Sequence, residues 1–266
     1  MALVTTDAIA LRSNEFGDKE RIVVFLTEKQ GKVPVVVKRT RSKKFNFAAI
    51  EPMTLCRLTY FGKENAHLYR FSNAEIINYF GPVREDLMLL NYSACFSEIL
   101  LFLLKDFDQN KHVFEVYKNF LEQLSQFKNE HNHLSIVLFL SLIQVFRSVG
   151  IYHAPSDSCC SCKKKLLVGS ETKIRIIDRG GICPDCYRKM GHSYHGGRTD
   201  FFTMEISSLK LLEALSSSKF AVAVKLKLPT PARKEIFQFL LWVYQNFTHR
   251  DLKSVNVFKE INAAIV

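Results

Sequence analysis

Four cysteines constrain this chain more than anything else in it: Cys159-x2-Cys162-x20-Cys183-x2-Cys186. Each C-x-x-C can bring two sulfurs from one tight turn to a single ion. Two such turns at this separation complete a tetrahedral site of the kind that structural zinc takes. A disulfide and a redox pair are the competing readings. The opening residues, MALVTTDAIALRSNEFGDKE, carry acids early and show no basic stretch leading into an apolar run. No export is therefore expected, and the thiols are expected to stay reduced in a cytoplasmic setting. A thioredoxin-like pair would open a helix after a strand, whereas Cys159 follows APSDS and Cys162 precedes KKKL. The segment between the pairs, KIRIIDRGG, has the character of a strand ending in a turn and would return the second pair to the first. One structural zinc is the expectation. Four thiolates leave no open coordination position and so no metal catalysis. Cys160 is read as a bystander thiol, and His153, His192 and His195 as surface histidines.

The 266 residues exceed one ordinary domain, and 47% hydrophobic residues with 22 Phe are ample for a core. Residues 1–80 alternate in the manner of strands: DAIALRSNEF, RIVVFLTEKQ, GKVPVVVKR, PMTLCRLTYFG and HLYRFSNAEII, with Gly31 where a hairpin must turn. Five short strands suit a small barrel or sandwich. Gly81-Pro82 then breaks the pattern, and apolar helical spacing follows to about residue 154. The cysteine module is placed at 155–198, and helices resume over 199–266, where Thr230 is read as an N-cap and Pro231 as the first helical residue. Two segments, 87–104 and 134–149, are apolar enough to suggest a membrane span. However, Asn91, Ser93, Ser97 and Glu98 interrupt the first, and Gln144 and Arg147 the second, which is also shorter than the roughly 18 to 20 residues a span needs. Both are expected to be core helices. The fold class is thus α+β and multidomain, with a small β-barrel or sandwich followed by a helical bundle that carries the zinc module.

Charge is unevenly placed. Lys plus Arg against Asp plus Glu is 13 to 8 over residues 1–80, 6 to 8 over 81–154, 9 to 4 over 155–198 and 9 to 6 over 199–266. Lys32, Lys38, Arg39, Arg41, Lys43 and Lys44 fall within residues 32–44 without one acid, and Phe45 and Phe47 follow. Such a run is either a solvated loop or a phosphate-tracking surface, with the two rings either stacking on bases or filling the core of the next strand. Lys163, Lys164 and Lys165 form a second basic group, with Arg175 and Arg179 nearby. No phosphate-binding G-x-x-x-x-G-K-[ST] and no evident catalytic dyad is present, which points away from an enzyme.

The order of these parts resembles the RecO family of recombination-repair mediators. FGDKERIVVFLTEKQGKV is similar to that family's first hairpin, VKRTRSKKFNFAAIEP to its basic loop, GGICPDC to its second zinc knuckle and LKSVNVFKEI to a shared terminal segment. One departure is Lys163, where the family often has Gly. The resemblance implies an N-terminal OB fold that binds single- and double-stranded DNA, here through Lys38, Arg39, Arg41, Lys43 and Lys44, and strand annealing without nucleotide hydrolysis. It also implies contacts with RecR and with the acidic tail of single-stranded-DNA-binding protein, so that RecA can load. Lys163 to Lys165 are assigned to DNA, and Lys225, Lys227 and Arg233 to the tail. The charge pattern alone also permits a zinc-ribbon factor acting on RNA, in transcription or in ribosome assembly. A zinc hydrolase is disfavoured because the four thiolates are already used.

Overall fold

The computed structural model describes residues 2–38, 47–63, 66–126, 131–156, 158–166, 173–177, 180–190 and 201–261. It resolves into two compact units. One takes the described residues up to 126 together with 252–261, and the other takes those from 131 to 251.

In the first unit, strands β1 (Ala2–Phe16), β2 (Glu20–Thr27), β3 (Gly31–Lys38), β4 (Leu55–Gly62) and β5 (Tyr69–Asn78) form a closed barrel in the order β1-β2-β3-β5-β4. Closure depends on β1. Its first half pairs with β4 over residues 2–9 and its second half with β2 over 8–16, with a register shift between Ala10 and Arg12 where the strand must bend. The other junction is the short parallel pairing of β3 with β5 at Val35↔Tyr69 and Val36↔Arg70. Side chains alternate as period-two patterning dictates: Val33, Val35 and Val37 point inward to join Ala8, Ala10, Val23, Phe25, Leu58 and Tyr60 in one buried cluster. Gly31 closes the β2-β3 hairpin with φ +66°, and a Cβ there would collide with the Asp108 carbonyl oxygen. Only glycine satisfies both demands.

Helices α1 (Gly81–Glu85), α2 (Leu87–Leu103) and α3 (Lys111–Gln126) complete this unit with α9 (Lys253–Ile261), which packs on α2. Asp86 caps α2 by accepting from the Met88 and Leu89 amides at 2.8 and 3.1 Å. Three of the polar residues that argued against a membrane span make hydrogen bonds here. Ser97 and Tyr117 hydroxyls lie 2.5 Å apart, Ser93 donates to the Leu90 carbonyl at 2.8 Å, and Glu98 accepts from the Lys253 and Ser254 amides at 3.1 and 2.7 Å, capping α9. No helix among the described residues is long and apolar enough to cross a membrane.

The second unit holds α4 (His131–Ser148), α6 (Ile206–Ser217), α7 (Phe220–Ala223) and α8 (Thr230–Thr248), with α4, α6 and α8 packed on one another. The cysteine module lies between α4 and α6. It contributes β6 (Lys173–Ile177), β7 (Gly180–Ile182) and α5 (Pro184–Lys189), and β8 (Phe202–Glu205) adds to the same sheet in the order β7-β6-β8. Two readings of the sequence change. The helical stretch expected to run through 81–154 is divided between the units, because α1 to α3 pack with the barrel unit and α4 with α6 and α8. The module's sheet also extends past residue 198, since β8 pairs with β6 and runs straight into α6. Thr230 is the first residue of α8 and Pro229 its N-cap, a shift of one position; the Thr230 hydroxyl instead accepts from Arg233 at 2.9 Å.

Candidate metal centre and nucleic-acid surface

The first cysteine pair sits in a tight turn. The Lys163 amide donates to the Cys159 carbonyl at 2.9 Å, the Cys159 amide to the Lys164 carbonyl at 2.8 Å, and Ser158 bridges to Lys165. The second pair is the start of α5: Cys183 is its N-cap, and its sulfur accepts from the Cys186 amide at 3.4 Å. Two links join the turns. The Cys160 amide donates to the Gly181 carbonyl at 2.8 Å, and the Cys183 amide reaches the Cys159 sulfur at 3.4 Å. Gly181 lies where a Cβ would collide with Leu166 Cδ1, so the Gly-Gly of GGICPDC allows the two turns to meet.

The four sulfurs of Cys159, Cys162, Cys183 and Cys186 all lie within 4.8 Å of one another, and Cys162 and Cys183 are 3.8 Å apart. A tetrahedron with metal–sulfur arms of about 2.3 Å has edges of about 3.8 Å. The cluster is therefore the right size for a metal ion and much too open for a disulfide, whose sulfurs stand about 2.05 Å apart. Ionisation agrees. Burial opposes charge on Cys159, but amide donors from Cys162, Cys183 and Ser161 outweigh it and lower that thiol to about 6. Hydrogen bonds to the Cys183 and Cys162 sulfurs hold Cys186 up at about 12. Four thiolates gathered this closely would repel one another, and a cation among them would offset that repulsion. Cys160 is not in the cluster, and Cys56 and Cys95, pushed up to about 12 chiefly by burial, remain thiols.

Lys163 has φ +65°, the left-handed conformation in which glycine is at ease. This accounts for the departure noted in the sequence: the turn asks for Gly and receives Lys. The Lys163 ammonium donates to the Cys160 carbonyl at 3.3 Å, and Lys163, Lys164 and Lys165 are all exposed.

Of the predicted basic loop, Lys38 is described at the end of β3. It is 74% exposed, with Glu20 3.8 Å away, and it projects at the mouth of the barrel. Arg39, Arg41, Lys43 and Lys44 lie outside the described residues, as do Phe45, Arg179, His192 and His195. Two more of the residues singled out in this segment are described, and Phe47 takes the core-packing one of its two readings. Lys32 is only 11% exposed, paired with Asp106 at 3.1 Å and donating to the Leu101 carbonyl at 2.7 Å, so it fastens the hairpin to the end of α2. Phe47 opens a single 3-10 turn, Phe47–Ile50, and packs against the barrel core. His153 is exposed, as expected.

Lys225 and Lys227 are exposed in the turn after α7, and Arg233 is half-buried in the first turn of α8. Asn132 of α4 holds this turn from both sides, donating to the Leu226 carbonyl at 2.8 Å and accepting from the Leu228 amide at 2.9 Å. Sequence patterning could not find Asn132, Glu98 or Lys32, because each acts on a partner 69 or more positions away.

Residues 1–80 match the protein-family model described as "Recombination protein O N terminal", and residues 84–256 match "Recombination protein O C terminal". The chain is also similar over nearly its whole length to curated proteins named DNA repair protein RecO. The one from Clostridium novyi is 22% identical, over 97% of this chain and 94% of the relative, and the one from Clostridium perfringens is 23% identical, over 98% and 99%. A third, from Bacillus subtilis, is 25% identical over 70% of each chain.

Proposed function

The chain belongs to the RecO family of DNA repair and recombination proteins, and on that premise we propose that it is a non-enzymatic mediator that binds and anneals DNA strands. Both family segments occur in order along one chain, and that observation carries the reading. The strand order β1-β2-β3-β5-β4, with its one parallel junction, is the arrangement of an OB fold, whose open face and loops bind oligonucleotides. Lys38 begins the path, and Arg39, Arg41, Lys43 and Lys44 continue it by neutralising phosphates. In the cytoplasm the protein would work with RecR on DNA coated by single-stranded-DNA-binding protein, taking that protein's acidic tail at Lys225, Lys227 and Arg233, so that RecA loads.

Zinc is the ion this proposal places among the four cysteines. When bound it would supply structural cross-linking and no chemistry, because the thiolates occupy every corner. Metal analysis of the purified protein is expected to give one zinc per chain. Lys163, Lys164 and Lys165 partly offset the net negative charge of a tetrathiolate site, and their exposed ammonium groups remain available to DNA.

The test is a titration of the protein with single-stranded DNA, duplex DNA and single-stranded RNA at two salt concentrations. Affinity for both DNA forms should fall steeply with salt, and the Arg39→Ala/Arg41→Ala double variant should weaken binding to unrelated sequences alike while making the salt dependence shallower. Preference for RNA, or an unchanged salt slope in the double variant, would overturn the assignment.

A further inference from the structure

Phe201 and Phe202 are adjacent and face opposite ways. Phe202 turns inward, its ring 5.6 Å from Phe239 and 6.1 Å from Trp242. Phe201 turns to the other side of the sheet and meets Tyr187 of α5 edge-on at 5.3 Å. Arg175 sits in the notch these two rings make. Its guanidinium lies 5.2 Å from the Tyr187 centroid and 5.1 Å from that of Phe201. Strand register explains the meeting: Arg175 is opposite Thr203 on β8, so the two share a face on which Thr203 is exposed, while Ile174 and Ile176 on either side of Arg175 are buried.

Lys173, on the same face, is paired with Glu205, and Arg188 with Asp185. The Arg175 guanidinium has no ion pair or hydrogen bond among the described residues, and neither has the Tyr187 hydroxyl. All three members of the notch are half-buried, which leaves part of each open. A cation held against two aromatic rings has already given up most of its rotamer freedom, and its planar N–H fork suits a phosphate. Flanking aromatic surface suits a base.

We propose that Arg175 and Tyr187 form a single-stranded-DNA subsite on the outer face of the cysteine module, with Arg175 holding a phosphate and the Tyr187 ring receiving the neighbouring base. The subsite rests on the DNA-binding reading above and extends it to a second surface. An acidic peptide would also find the arginine. It would need a recess beside it for apolar side chains, whereas Lys173, Thr203 and Arg188 around this notch are exposed and polar.

The experiment compares Arg175→Gln and Tyr187→Leu with the wild type on an oligothymidylate, over a range of salt. Retained zinc and unchanged emission of Trp242, the single tryptophan, report an intact module. Arg175→Gln should weaken binding about tenfold and make the log–log salt slope shallower by roughly 0.7, the signature of one lost single-strand phosphate contact. Tyr187→Leu should weaken binding at least about fivefold and leave the slope unchanged, because stacking carries no charge. A purely structural latch would move affinity only together with zinc content. In the wild type, photocrosslinking of an oligonucleotide containing 5-iodouracil should map to Tyr187. Wild-type affinity and slope in both variants, or no crosslink within residues 173–203, overturns the subsite. So does loss of binding to an acidic peptide alone. If the wild type itself fails to hold DNA, the functional reading falls as well, whereas wild-type binding with inert variants removes only the subsite.

Discussion

The barrel and the three-stranded sheet of the cysteine module solve the same problem by different means. Both consist mainly of antiparallel pairs, and both must prevent short strands from fraying. The barrel closes its ring of hydrogen bonds and fills the interior with Val33, Val35, Val37, Phe25 and Tyr60. The sheet has strands of five, three and four residues and cannot close. Its two cysteine turns are joined by one main-chain hydrogen bond and by one amide that reaches a sulfur. Closure makes the first self-sufficient, whereas the second, on the proposed reading, depends on an ion.

The sharpest way to break that comparison is to remove the ion. Chelation, or Cys183→Ser, should strip hydrogen-exchange protection from residues 158–190 and leave β1 to β5 unchanged. The substitution should lower metal affinity by more than the roughly 10- to 100-fold that a lost outer-shell partner costs. Iodoacetamide should then label the liberated cysteines of the cluster, four after chelation and three in Cys183→Ser, while Cys56 and Cys95 stay unreactive until the barrel unit unfolds. Because binding a metal displaces the protons of these thiols, metal retention should fall as pH is lowered and recover as it is raised.

A strike at the barrel should show the reverse pattern. Gly31→Ala places a methyl group against the Asp108 carbonyl in a left-handed backbone, and urea unfolding should register a loss of about 3 kcal/mol with zinc content unchanged. Glu98→Ala removes the cap of α9 and should cost about 1 to 2 kcal/mol, seen as faster exchange over residues 253–261. The smallest effect has the opposite sign. Lys163→Gly relieves the positive φ beside the first cysteine pair and should stabilise the metal-bound turn by about 1 kcal/mol, roughly a fivefold gain in metal affinity by competition.

How much of this was legible in the sequence follows the range of the interaction. The five strands announced themselves through β-branched or alternating runs, and the four cysteines through spacing, because these patterns are local. Gly31 was legible as a turn, though not as a point of contact with Asp108. FTME gave no reason to be placed beside KIRII, since strand pairing across a gap leaves no mark on either partner. Lys32 counted as one more cation in a basic run until the structure supplied Asp106. Phe47 held two readings open, and burial against the barrel core chose between them. At Lys163 the sequence showed an oddity whose cause is a single backbone angle.

The cap that Glu98 provides for α9 bears on the order of synthesis. The barrel unit is complete only when residues 252–261 return to α2, yet the ribosome makes residues 130–251 of the second unit first. At about 5 to 20 residues per second, the roughly 120 intervening residues take on the order of 6 to 24 seconds. Throughout that interval the barrel can close, but the face of α2 that α9 will cover stays open, so the unit started first waits for a segment made after nearly all of the other.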